Sequence, residues 1–514
     1  MKKKNFLKKR IPFRIITFIK MKNLKFADTF LSTYPCLYLG IFFLLGIAAY
    51  FYENLIYLIF LVFIWNKKSL FFAISAFSLA FAYCYFNFSD LKQINSEITG
   101  TAKFEIKSIK ESYYFNRKSY LYQGNLVSFR TDKNEFKNIP CSVSSKKKYS
   151  SDHTYVIPGQ LIATRKYNYQ LKSKAKWVQD KKITSITNLR FDLKKKFHQI
   201  LKKIINDKNG ADFLHTLLTG DNTHKLLTFN FSKIGLQHVL AISGFHFGVL
   251  TIFFSSVLRC FFSPKTVAFL LIIIVNLYFL FVGPLVSVER SYIMILMALS
   301  ASLINRKYFA LNSIGASMIV ILILNPLNIA NIGFQLSYLS TFAILLGFTL
   351  TDDYFDKFIK KRSEKEINEL DWISKILEKI LNFIRQSICL SLVVNIFIIP
   401  VVLFHFHKFA FLGFIYNLFI PFLVGICMMM VIFALIFYFT FPQIGYVINY
   451  ISTYFTKFIL MLSDNPPANL QIYLRSQSIS FEFVIIYLAL VGLLFLILKH
   501  SNEEKITPKY LDLF

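Results

Sequence analysis

Cysteine is scarce and nowhere clustered in this chain: six residues, at 36, 84, 141, 260, 389 and 427, of which only Cys141 falls in a hydrophilic stretch. That excludes a disulfide framework or a thiolate metal site in the stretch and leaves the compartment open. No Gly-x4-Gly-Lys-Ser/Thr run occurs, so no loop of that kind cradles a nucleotide, and energy for any transport must come from elsewhere. No His-Glu-x-x-His or Asp-x-Asp site pairs with an apolar segment; Asp352 and Asp353 stand at the end of one and lack the spacing. There is no long sequence repeat. Acidic residues are few, 28 against 59 Lys and Arg, which leaves a formal net charge of +31. Such an excess fits affinity for anionic lipid or nucleic acid, and equally the bias of a Lys-rich proteome.

Apolar residues, by contrast, are everywhere. The 514 residues are 55% hydrophobic, include 59 Phe and have a mean hydropathy of +0.49. An ordinary soluble core cannot take up so much, and the class that follows is a polytopic α-helical membrane protein. Apolar stretches run over 33–50, 53–65 and 69–88, then 211–219, 236–258, 264–282, 287–304, 307–325 and 332–350, then 386–404, 410–440 and 481–498, with an ambiguous amphipathic piece at 443–464. They predict about ten spans. The first cluster follows a basic arm, 1–32, with Lys2, Lys3, Lys4, Lys8, Lys9 and Arg10. The positive-inside rule puts that arm in the cytoplasm, and Lys67 and Lys68 agree. The cluster reads as an N-terminal anchor (33–88) rather than a cleaved signal peptide, and its second run is short enough for a hairpin.

Over 89–186 the pattern changes to period-two alternation, as in 102–109, 119–129 and 153–163, with turn signals at Gly124-Asn125 and Pro158-Gly159. Five or so strands in about a hundred residues suit a small β-barrel of the OB type, and three preceding spans put it outside the cytoplasmic membrane. Its cations Lys146, Lys147 and Lys148 and its rings, Tyr120 and Tyr122 among them, are what single-stranded nucleic acid binding uses; a solvated Lys-rich surface with Tyr packed inside is the alternative. Residues 187–207 predict an amphipathic basic helix in the headgroup plane. A charged linker at 351–382, eight acids and seven bases, reads as a surface helix between the two parts of the membrane block, 208–350 and 383–498, before a polar tail at 499–514.

Polar and small residues interrupt the apolar run 234–250. Lipid offers no water to His238, Ser243 or His246, so they must face a protein interior or a wet cavity, with Gly244 breaking the helix. Arg290 needs a partner: Glu289 points about 100° away on a helix, which leaves another helix, a ligand phosphate or snorkelling to the interface. Gln335 and Ser337 lie in apolar context, where such residues also glue helices together. His405 and His407 are two apart and predict an interfacial loop after Pro400, followed by Asn417 and Pro421.

These residues carry a resemblance. Gly235, His238, Ala241, Ser243, Gly244 and His246 match the signature Gly-Leu-x-His-Leu-Leu-Ala-Ile-Ser-Gly-Leu-His, and the chain thereby resembles the ComEC-type competence family. The 218–221 segment, Ser287 with Arg290, the Gly-Phe-Gln-Leu-Ser element at 333–337, and Asn417 with Pro421 match its further elements in order. The resemblance implies an inner-membrane channel that carries single-stranded DNA in natural transformation, an extracytoplasmic OB-like domain, and a helicase-like motor and DNA-binding competence proteins as partners beside the membrane lipids. Many relatives add a metallo-β-lactamase-like domain, but none of the nine histidines here forms a His-x-His-x-Asp-His cluster, so a separate nuclease is expected. Ser291 departs from the small apolar residue usual in relatives. The expectation is a channel, not an enzyme, with no cofactor, no metal and a path lined by His238, Ser243, Gly244, His246, Arg290, Gln335, Ser337 and Asn417. Two other classes stay open: a membrane-embedded acyl or lipid transferase with His246 as general base, and a small-molecule or lipid transporter with a compact midplane pocket.

Overall fold

The computed structural model describes residues 31–53, 67–88 and 97–506, apart from 115–116, 133, 166, 174, 206, 222–224, 361, 468, 470 and 478. The basic cations of the arm, nearly all of the 53–65 run and the end of the tail lie outside these residues. The described chain divides into two compact units, one of residues up to 89 with 309–329, the other holding the rest.

The first unit is built from α1 (Pro35–Tyr52), α2 (Lys67–Phe88) and α10 (Ala310–Leu324). In lipid no hydrophobic force drives helices together, so association rests on van der Waals contact at small residues. Gly315 of α10 meets the backbone of Cys36 and Leu37, and Gly46 of α1 meets the Phe77 carbonyl. Two side-chain amide bonds close the helix start: Asn312 Oδ1 accepts from the Cys36 N–H at 3.2 Å and its Nδ2 donates to the Thr33 carbonyl at 3.1 Å.

The second unit opens with six strands: β1 (Ile98–Tyr114), β2 (Arg117–Arg130), β3 (Glu135–Ser145), β4 (His153–Arg165), β5 (Asn168–Lys172) and β6 (Val178–Lys182). β1 pairs antiparallel with β2 and, along its first half, with β4; β3 pairs parallel with β5, and β5 antiparallel with β4. The ladder therefore returns on itself through β1–β4. A bulge between Lys103 and Phe104 shifts the β1–β2 register, which is the device that bends a strand between two partners. The core is aromatic: Tyr149 stacks on Trp177 at 4.3 Å, with Tyr122 and Tyr155 edge-on to the same indole at 5.0 and 5.6 Å. The sheet rests on α3 (Thr187–Ile204), where Thr187 Oγ1 donates to the Lys107 carbonyl at 3.2 Å and Asn188 exchanges bonds with Ser151.

Helices follow: α4 (Lys208–Thr219), α5 (Lys225–Lys233), the single turn α6 (Gln237–Leu240), α7 (Gly244–Arg259), α8 (Pro264–Val282), α9 (Val286–Leu303), α11 (Ile332–Phe355), α12 (Glu364–Asn368), α13 (Trp372–Phe406), β7 (Lys408–Ala410), α14 (Leu412–Tyr416), α15 (Ile420–Thr440), α16 (Pro442–Asp464), β8 (Tyr473–Arg475) and α17 (Phe481–Ile506). Local chemistry sets their starts. Asp207, Ser263, Asn331 and Asp371 each cap a helix by accepting a backbone N–H, and Pro264 occupies the first turn of α8, where its missing N–H costs nothing.

Among the described residues, eight helices are long and apolar enough to cross a membrane: α1, α2, α8, α9, α11, α13, α15 and α17; α7 and α10 are shorter apolar helices. The protein is accordingly a mostly helical multi-pass membrane protein with a sheet domain. Three local expectations are corrected. The 211–219 run is not a span: α4, at about 18 Å by helix rise, is too short for a ~30 Å hydrocarbon core and is buried among α3, α15 and α16 instead. The 351–382 linker is not one surface helix, because α11 runs on to Phe355 and α13 already begins at Trp372. The 404–409 loop is shorter than expected, since Pro400 is accommodated inside α13 and His405 still belongs to that helix. The ambiguous 443–464 piece is the 23-residue α16, with Asn449, Ser452, Thr456 and Ser463 buried and Val447, Ile451, Phe458 and Met461 exposed, an inside-out amphipathicity suited to lipid.

Candidate functional site

The interrupted run 234–250 folds as a broken helix. α6 ends at Leu240, Ala241–Ser243 is extended, and α7 starts afresh at Gly244. Ser243 caps it: its Oγ accepts from the Phe245 N–H at 3.3 Å, while His246 Nδ1 accepts from the Ser243 N–H at 3.2 Å. This is a capping box in which an imidazole does the work usually given to glutamate. The bond assigns the lone pair to Nδ1 and the proton to Nε2. That Nε2 is fully buried without a partner. The first N–H groups of α7 carry the positive end of the helix dipole, roughly half an elementary charge.

Arg290, in the second turn of α9, lies against this helix start. A Cβ placed on Gly244 would stand 3.0 Å from Arg290 Nη2 and 3.0 Å from Ser291 Oγ. The guanidinium is 7% exposed; its Nε donates to Ser337 Oγ of α11 at 2.8 Å, and its Nη2 and Nη1 reach Ser291 Oγ and Met294 Sδ at 3.4 Å. The Tyr338 ring lies 6.0 Å from the guanidinium carbon, and among the described residues no carboxylate pairs with it. Ser287 Oγ, one turn earlier, donates to the Ile242 carbonyl at 2.7 Å and pins the break to α9. Ser243, Gly244, His246, Arg290 and Ser337 thus converge on one point from three helices.

The remaining residues read from the sequence go elsewhere. Gln335 Oε1 meets His405 Nε2 at 2.8 Å, joining α11 to α13, a partner that the loop reading of His405 missed. His238, on the single turn α6, is exposed, with the Asn417 side chain beside it. Tyr120 and Tyr122 are corrected as stacking faces for bases: both are buried, and Tyr122 Oη is engaged with the Lys147 carbonyl and the Tyr149 N–H. They share parity with Leu126 on β2, a period-two signal that already marks the core side. Lys146, Lys147 and Lys148 are exposed; Lys148 pairs with Asp192 at 3.0 Å and covers Phe191.

The sequence reading passed over a second polar cluster, between α3 and α4. His198 Nε2 meets buried Asp212 at 2.7 Å, its ring stacks on His215 at 4.2 Å, and Lys194 reaches Asp221 at 3.3 Å. Burial first, then the charges of His198 and Lys194, hold His215 down to about 3. An unfolded chain binds a proton there, from about pH 6.5 downward, that the folded chain refuses, so stability falls on acidification by up to about 1.4 kcal/mol per pH unit. The melting temperature of the full chain should drop between about pH 6.5 and 4 and the drop should shrink in His215→Gln; an identical slope in that variant would sink the assignment. No group of three His, Cys, Asp or Glu able to hold a metal gathers among the described residues.

Apolar helices around a buried arginine at a broken helix define a multi-pass membrane protein with a polar site in its interior. Residues 217–501, more than half of the chain, match the family model described as Competence protein. The chain belongs to this competence protein family, as its ComEC-type signature implied. It is also 28% identical over 253 residues to ComE operon protein 3 of Bacillus subtilis (strain 168), an alignment covering 47% of this chain and 29% of that protein. The chain thus spans less than a third of that relative's length. No solved structure matches it.

Proposed function

We propose that this protein is the inner-membrane conduit through which single-stranded DNA passes during competence. The observation that supports this best is Arg290. A buried cation without a carboxylate costs several kcal/mol, and a fold keeps one where a ligand supplies the missing charge. A phosphodiester is such a ligand: it accepts bonds from a guanidinium fork and from the N–H groups at a helix start, as Arg290 and α7 together offer. A strand has a phosphate at every nucleotide, so a site that held each one too well would stall it; one arginine and a few hydroxyls suit passage better than a cage of cations.

The outer part of this reading draws on the strand circuit. A ladder that closes through β1–β4, with a parallel β3–β5 step, supports an OB-like barrel placed outside the cytoplasmic membrane, with Lys146 and Lys147 on its surface to meet the strand. The protein in this proposal is a channel and not an enzyme; a cytoplasmic helicase-like motor pulls, extracytoplasmic DNA-binding competence proteins deliver, and a separate nuclease degrades the strand left behind. Cells lacking the gene should bind fluorescent DNA at their surface and fail to internalise it. Undiminished internalisation would overturn the proposal.

A further inference from the structure

Above the start of α9, the sheet, α3 and the α8–α9 turn line a small, half-open crevice. Lys110 of β1, with Arg190 and Lys194 of α3, supplies three cations to its wall; Asp221 is the one acid among the described residues lining it. Lys194 is buried and shares Asp221 at 3.3 Å, and the nearby charges of Lys110 and Arg190 act against its own. Arg190 lies across Gly283, whose φ of +94° and missing Cβ leave the room, and donates from Nε to the Leu280 carbonyl at 2.9 Å. A side chain at Gly283 would evict it. Like charges are held together here by backbone geometry, with a surplus that an anion would neutralise.

An apolar track leads to the same place. Phe269, Ile273, Leu277 and Leu280 of α8 are all exposed, at spacings of four, four and three residues, which puts them on one face. Their span, about 16 Å by helix rise, is close to the ~15 Å of one hydrocarbon leaflet. Its upper end is Leu280, whose carbonyl Arg190 holds. Ile186, at the cap of α3, and Leu189 and Leu193 within it are exposed beside the two cations, the arrangement of a helix lying at the headgroup level.

We infer that this crevice binds the phosphate of an anionic phospholipid, with an acyl chain lying along α8. A nucleic acid would find the cations but no use for the apolar track, whereas a lipid needs both. Bound there, the headgroup would tie the sheet, α3 and the α8–α9 turn into one unit at the membrane surface. The site is separate from Arg290, so the inference stands whether or not DNA passes there.

The test uses the full chain in a neutral detergent, titrated with phosphatidylglycerol or phosphatidylcholine and followed by native mass spectrometry and thermal melting. Phosphatidylglycerol should bind roughly tenfold more tightly and raise the melting temperature more, a comparison that needs no variant. The Lys110→Gln, Arg190→Gln double variant should lose that preference, and Lys110→Gln alone, on a half-buried strand position, should weaken it. Equal binding of the two lipids would overturn the inference. So would inorganic phosphate that stabilises as well as the lipid does, which makes the site a free-anion site, or a single-stranded oligonucleotide that displaces phosphatidylglycerol, which assigns the crevice to the strand.

Discussion

Arg290→Ala should lower internalisation of labelled DNA by roughly a hundredfold, with surface binding of DNA and membrane abundance unchanged. Two charge-assisted hydrogen bonds from the guanidinium to a phosphate are each worth about 1.5–3 kcal/mol, and a factor of a hundred needs about 2.7 kcal/mol. Arg290→Lys keeps the charge but loses the fork, and should fall between alanine and wild type. Stability separates this reading from a structural one. Removing an arginine that only holds helices together would destabilise the protein, whereas removing a buried charge that lacks a carboxylate should leave the melting temperature unchanged or raise it. His246→Ala should reduce uptake less, because it loosens the start of α7, an N-cap effect of about 1 kcal/mol, rather than removing a charge. Normal uptake by both variants would remove this site from the DNA path.

The second large effect is on folding. Gly315→Leu should reduce the folded protein recovered from membranes by roughly tenfold, because a Cβ there would stand 2.3 Å from Leu37 Cα and 2.4 Å from the carbonyl of Cys36. Those are backbone atoms and cannot turn aside as a side-chain tip would. The cost should therefore exceed the usual ~1–3 kcal/mol of an overpacked core, and α10 would part from α1. Gly248→Ala is the control: no atom lies within 4 Å of its would-be Cβ, and recovery should match wild type. Protease resistance and size-exclusion profiles read both variants. Equal recovery would show that the contact between α1 and α10 does not hold this unit together.

The sequence carried the class and the place of the site because lipid punishes polar residues in apolar runs, which makes Ser243, His246 and Arg290 conspicuous. It could not carry their convergence. Arg290 and Ser337 are 47 positions apart on helices whose rotation no spacing rule sets. His246 shows the same limit: the sequence offers it as a path-lining residue or a general base, and only the path of the backbone at Ser243 shows that it also caps its own helix. The two-residue spacing of His405 and His407 predicts a loop after Pro400, yet α13 passes through that proline and carries His405 to Gln335. Tyr120 and Tyr122 were legible in principle. Their parity with Leu126 marks the inner face of β2, a stronger signal than the lysines that stand near them in sequence.

One property of the helix break reaches beyond the residues that form it. The attraction at the start of α7 comes from peptide dipoles and from a guanidinium, and neither gains or loses a proton at any pH a cell meets. Burial also shields both from the salt outside. In the conduit proposed above, a passing phosphate would therefore meet the same field at this point in acid and in alkaline surroundings. Sensitivity to salt would reside instead in the exposed lysines of the sheet, Lys146 and Lys147.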